Sequence, residues 1–109
     1  MHQHVVAFKN KIAEDELGEM LTMGFIETLN EIEPLPWKIA FYHKGVNLSL
    51  EDSAVLEPLK QLEKRGVEIM ICGNCVDFYG VREKVKVGIV SNAYDIIKAL
   101  TDASHVIYP

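Results

Sequence analysis

The run Val67-Glu68-Ile69-Met70-Ile71 stands between a turn glycine, Gly66, and the tetrapeptide Cys72-Gly73-Asn74-Cys75. A short, mostly apolar strand of this kind needs cover on both faces, as in the parallel sheets of layered α/β proteins. It also delivers a thiol to the point where a buried strand gives way to the next helix. Both cysteines of the chain fall in this one CxxC. Near a helix start, unpaired backbone N–H groups and the helix dipole favour the thiolate. Such settings bring a cysteine pKa from ~8.5 into the range of roughly 3.5–7.5. The expectation is therefore thiol chemistry at Cys72, with a pKa below that of a free cysteine.

The rest of the chain alternates in the same way. Gln3 to Phe8 ends in Val5-Val6-Ala7-Phe8 and reads as a first strand. Glu14 to Ile32 repeats apolar residues at helical spacing, with Leu17, Met20, Leu21, Phe25, Leu29 and Ile32 on one face taken to be the core face. Met23 and Ile26 fall outside that stripe, and Pro34 and Pro36 end the helix. Trp37 to Tyr42 reads as a second strand stopping at His43-Lys44-Gly45, and Val46 to Asp52 as a loop or brief extended piece. A second helix carries Leu56, Leu59 and Leu62, its regular part expected near Pro58, and it closes at Arg65-Gly66. After the CxxC, Val76 to Tyr79 allows about one helical turn before Gly80. Val85 to Val90, interrupted by Gly88, offers a fourth strand. Ser91-Asn92 is an N-cap signal for a helix containing Tyr94, Ile97 and Leu100, and His105 to Tyr108 forms a last strand. The expected fold is one α/β domain over residues 1–109: three layers, α/β/α, around a mainly parallel five-stranded sheet, flavodoxin-like in appearance.

Composition narrows the function classes. With 109 residues, 49% hydrophobic and 25% charged, the chain is globular. A formal net charge of −5 argues against a nucleic-acid surface. No apolar run approaches the ~18–20 residues that span a bilayer. Met1-His2-Gln3-His4 lacks a basic region followed by an apolar stretch, so a cytoplasmic protein is expected. Basic residues are scattered or paired with acids, as in Arg82-Glu83-Lys84, and read as solvated faces.

In open α/β sheets the reactive edge lies at the carboxyl ends of the strands. Cys72 ends strand three there and His43-Lys44 ends strand two, whereas His2, His4 and His105 begin strands and belong to the opposite edge. His43 or Lys44 would stabilise a Cys72 thiolate if strands two and three are neighbours. Structural zinc wants about four ligands, and two cysteines fall short unless subunits share the ion. A thioredoxin-like redox pair would follow an early strand and face a proline-bearing loop, yet no proline lies between Pro58 and Pro109. A sulfur carrier needs one exposed thiolate that takes sulfane sulfur as a persulfide. The remaining reading is two small buried hydrophobes, structural cysteines of a non-catalytic oligomeric subunit whose surface binds a partner. Neither a metal nor a cofactor is implied; no dinucleotide fingerprint or phosphate loop is visible.

The segment Gly66 to Val81, with an apolar strand ending in a cysteine and a glycine eight residues beyond it, resembles the DsrE/DsrF-like sulfur-relay family. With Gly88-Ile89-Val90-Ser91-Asn92-Ala93-Tyr94-Asp95-Ile96-Ile97 and the early Leu17-Gly18 helix, it is most similar to the DsrE-like domain of YedF-type proteins. The resemblance implies that Cys72 carries the sulfur, that sulfur donor and acceptor proteins are its partners, and that the chain forms trimers or hexamers. Many relatives lack a cysteine at the position of Cys75, so the resemblance assigns it no role; a resolving or assisting thiol is the reading here. Gly73, Asn74, His43 and Lys44 are expected to surround the sulfur, Asn74 mainly as a helix cap. Asp77, Phe78 and Tyr79 are candidates to wall the thiol from water, with Phe78 expected in the core, and Tyr94 is expected either in the core or at the strand-end crevice. Self-association is expected through Met23 and Ile26 of the first helix or through the crevice edge.

Overall fold

The computed structural model describes residues 3–109, so the place expected for His2 lies outside the described residues. Five strands form one parallel sheet in the order β4-β3-β2-β1-β5. They are β1 (Val5–Phe8), β2 (Lys38–Phe41), β3 (Glu68–Cys72), β4 (Ile89–Ser91) and β5 (Val106–Ile107). The helices between them are α1 (Glu16–Leu29), α2 (Leu56–Lys64), α3 (Gly73–Phe78) and α4 (Ala93–Asp102).

Register sorts the strand residues onto two faces, because aligned partners in a parallel ladder point the same way. Val6, Ile39 and Ile69 share one face with Phe8, Phe41 and Ile71; the rings of Phe8 and Phe41 stack at 5.4 Å. The chain steps in one direction from β1 to β4, so right-handed crossovers put α1, α2 and α3 over this face. The step from β4 back to β5 reverses direction and puts α4 alone over the other, where Ala7, Ala40 and Met70 lie. One ten-residue helix does not cover five strands. A cleft of about 620 Å³ remains between α4 and the sheet, bounded by Lys38 and Glu68 at one end and Arg82, Ser91, Asn92 and Tyr94 at the other.

Helix α1 is turned opposite to the sequence expectation. Its buried residues are Gly18, Thr22 and Ile26, and Ile26 is fully enclosed, while Met20 is 65% and Phe25 48% exposed. Leu17, Leu21 and Ile32 also face outward; Met23 and Leu29 pack partly against the core. The cause lies in the connection from β1. Thr22 Oγ1 accepts from the Ile12 N–H at 2.9 Å and donates to the Gly18 carbonyl at 2.7 Å, so a buried hydroxyl is doubly satisfied. A Cβ on Gly18 would collide with the Ala13 carbonyl, so the chain crosses the helix where only glycine fits. The Asp15 carboxylate caps the helix by accepting from the Gly18 N–H at 2.7 Å. Close passage and polar satisfaction choose the inward face, and the larger apolar stripe is left outside.

Other departures are local. The segment after β2 is a 3-10 helix, His43–Ser49, whose Val46 and Leu48 complete the core. It is tied to the approach to β4 by the Glu51 N–H to the Lys84 carbonyl at 2.9 Å and the Lys86 N–H to the Ser49 carbonyl at 2.8 Å. These bonds hold Val85 out of the sheet in a bridge to Leu50, so β4 begins only at Ile89. Helix α2 starts at Leu56, two residues ahead of Pro58, which sits in its first turn. In α4 the inward residues are Ile96 and Ala99, while Tyr94 and Ile97 are exposed. At the amino edge the rings of His4 and His105 stack at 5.2 Å, where the sequence places them.

Candidate functional site

The site is built where β3 and β4 part company. Strand β3 hands over to α3 on one face of the sheet, and β4 hands over to α4 on the other. Their carboxyl ends lie on the edge of the sheet at which open α/β folds bind their ligands. Cys72 is the last residue of β3 and pairs in register with Ser91, the last residue of β4. Cys72 is also the N-cap of α3, with extended backbone angles and no side-chain capping bond.

One turn of α3 returns Cys75 to Cys72. The two sulfurs, both free thiols, are 2.8 Å apart, with the Cys75 S–H donating to Cys72 Sγ. The backbone N–H of His43 donates to Cys75 Sγ at 3.1 Å. His43 follows β2, the neighbour of β3, and opens the 3-10 segment at φ 53°, a left-handed conformation uncommon outside glycine. That torsion sets the direction of its N–H. Burial pushes the Cys75 thiol up, and its hydrogen bond to Cys72 adds to this; the His43 N–H pulls the other way. Cys72 is buried, with 8% of its surface exposed, where the sequence reading asks for an exposed thiol, and Cys75 is the more open of the two.

Gly73 is buried between the two sulfur-bearing residues and the end of β4. A Cβ there would come 2.6 Å from the Ser91 carbonyl oxygen and 3.4 Å from Arg82 Nη2. The Arg82 guanidinium makes a double contact with Asp77, Nε to Oδ1 at 2.7 Å and Nη2 to Oδ2 at 3.0 Å. Arg82 beside Asp77 holds that carboxyl below its usual range. Ser91 and Arg82 were not legible as site residues. Arg82 reads as part of a solvated charge cluster, and nothing in the chain announces that β4 lies next to β3.

The remaining expected residues are placed as follows. His43 meets the thiols through its backbone. The Lys44 ammonium is held by Glu14 at 3.3 Å, on the rim of a second cleft between α1 and the 3-10 segment. Asn74 is exposed in the first turn of α3 and does not cap it, because Cys72 occupies the N-cap. Phe78 is 87% exposed, not in the core, since a six-residue helix whose inward position is Val76 points Phe78 outward. Tyr79 meets the Phe78 ring edge-on at 5.5 Å. Tyr94 lines the cleft beneath α4. Among the described residues, no group of three or more His, Cys, Asp or Glu side chains is disposed to hold a metal ion. No helix of the described chain is long and apolar enough to cross a membrane.

A parallel five-stranded sheet covered by helices on both faces, with a thiol at the carboxyl end of β3, places the chain among the open α/β proteins. The chain belongs to the DsrE/DsrF-like family, which it matches over residues 6–109, and sulfur relay is its functional association at family level. Its fold is similar to that of MTH1491 from Methanobacterium thermoautotrophicum, described as a protein of unknown function, with TM-score 0.73, 20% identity and full coverage of both chains. It is also similar to the ychN protein from E. coli, with TM-score 0.67 and 16% identity over 98% of this chain and 99% of that one. A third similar structure is BT1422 from Bacteroides thetaiotaomicron, a conserved protein of unknown function, with TM-score 0.64 and 15% identity over 98% and 95% of the two chains. Comparison with curated proteins gives no match.

Proposed function

We propose that the protein is a sulfane-sulfur carrier in which Cys72 is the sulfur-bearing residue. The observation that carries this reading is the position of Cys72 at the carboxyl end of β3 and the start of α3, with the Cys75 S–H directed at its sulfur. In the loading step the Cys72 thiolate attacks the outer sulfur of a donor persulfide or polysulfide. A new S–S bond forms on Cys72, the donor's S–S bond breaks, and the donor leaves as the shortened thiolate or polysulfide. Donor and acceptor proteins are the partners of such a carrier, and a reducing compartment such as the cytoplasm keeps both thiols free.

Self-association belongs to the same proposal, with a different surface from the one read in the sequence. Ile26 is enclosed and Met23 half-buried, so neither supplies the contact. The outward stripe Leu17, Met20, Leu21 and Phe25 is the apolar face through which copies would associate.

A second reading, a thiol–disulfide oxidoreductase, is favoured by the 2.8 Å sulfur separation alone. Intact-mass analysis of reduced protein treated with inorganic polysulfide separates the two. A gain of about 32 Da that disappears in Cys72→Ser supports the carrier. A wild type that loses two hydrogens while neither Cys75→Ser nor Cys75→Ala takes up the adduct overturns it in favour of redox exchange.

A further inference from the structure

We infer that Cys75 is a resolving thiol, which turns a Cys72 persulfide into an internal disulfide and releases the carried sulfur as sulfide. The inference rests on the carrier reading above and assigns the fate of the sulfur when no acceptor takes it.

Three observations meet on Cys75. Its sulfur is 2.8 Å from Cys72 Sγ, the atom that links the carried sulfur to the protein. A covalent S–S bond is about 2.0 Å long. Closure therefore asks for a sub-ångström approach of two sulfurs one helical turn apart. Among the described residues, the backbone donor on these sulfurs is the His43 N–H at 3.1 Å, and it is aimed at Cys75 and not at Cys72. A donor there stabilises negative charge on the attacking sulfur, opposing the burial that keeps the thiol protonated. The donor is fixed by an uncommon left-handed torsion on a non-glycine residue, which the surrounding fold must hold in place. Buried cysteines that served only to fill space would need none of this.

The step balances without an external oxidant or reductant. Cys75 Sγ gives up its proton and attacks Cys72 Sγ; the bond from Cys72 Sγ to the outer sulfur breaks, and that sulfur leaves with the electron pair as hydrosulfide. The products are the Cys72–Cys75 disulfide and one equivalent of hydrogen sulfide. The sulfane sulfur is reduced and the two cysteine sulfurs are oxidised. A second turnover requires a dithiol reductant to reopen the disulfide. Transfer to an acceptor persists only where the acceptor thiol reaches the outer sulfur before Cys75 closes. The second cysteine thus sets a time limit on the carried sulfur.

The test is a single turnover. Reduced protein is loaded with inorganic polysulfide, desalted, and held without thiol while intact mass and free sulfide are followed. Wild type is expected to lose the adduct, arrive two hydrogens below the reduced mass, and release about one sulfide per chain. Cys75→Ser and Cys75→Ala, either of which serves if the other fails to fold, should keep the adduct and release sulfide roughly tenfold more slowly or less. A wild-type adduct as long-lived as that of the variants, or variants that release sulfide as fast as wild type, overturns the resolving role while leaving the carrier reading intact. If neither wild type nor variant accepts sulfur, the carrier reading fails and this inference fails with it.

Discussion

Cys72 and Ser91 are register partners across the β3–β4 ladder, and the Ser91 carbonyl runs so close to the start of α3 that a Cβ at position 73 would meet it at 2.6 Å. The obstacle is backbone on a strand, not the movable end of a side chain. Gly73→Ala should therefore cost about 1–3 kcal/mol, as overpacking does elsewhere, and should displace α3 from the thiols. Urea denaturation would show a lower midpoint at unchanged slope. An unaltered midpoint would mean that β4 does not sit against α3 as described.

The rotation of α1 is open to a direct comparison. Ile26→Ala removes a fully enclosed side chain and should destabilise by about 2–5 kcal/mol. Leu17→Ala, on the outward stripe, should stay within about 0.5 kcal/mol when both are compared in the dissociated Met20→Glu, Phe25→Glu background. The opposite ranking would restore the stripe of leucines and methionines to the core.

That same outward stripe predicts association. Wild type at micromolar concentration should sediment above the 12.3 kDa of one chain, and Met20→Glu with Phe25→Glu should return it to that mass and abolish the dependence of the denaturation midpoint on protein concentration. A wild-type monomer removes the proposal.

Sulfide release should depend on pH in a stated direction. Burial, together with the hydrogen bond to Cys72, pushes the Cys75 thiol up, so at neutral pH little of it is in the attacking form. Single-turnover release should accelerate as pH climbs above the ordinary thiol range. A midpoint at or below that of free cysteine would contradict the buried setting. Stability moves the opposite way. A group whose pKa is higher folded than unfolded supports the fold fully below its unfolded pKa, and that support is lost as pH rises through the folded value. Reduced wild type should thus weaken under alkaline conditions more than Cys75→Ser, as thermal unfolding against pH would show.

What the chain alone determined is whatever rests on neighbours in sequence. The order of strands and helices, the parallel sheet, the thiol at the end of β3 and the placing of His43 opposite His4 and His105 along the strands all follow from local periodicity and from glycine and proline punctuation. The resemblance over the CxxC segment brought the family with it. Tertiary structure decided the rest. Which face of α1 turns inward depends on Thr22 meeting the Ile12 N–H and on the chain crossing Gly18, neither of which a count of apolar residues registers. Strand order is a matter of contacts between distant segments; it sets Ser91 beside Cys72 and brings the end of β2, with the His43 N–H, next to Cys75. A pattern read along the chain reports how much apolar surface a helix carries. It does not report which polar groups must be satisfied, or how closely another backbone passes, once the layers have closed.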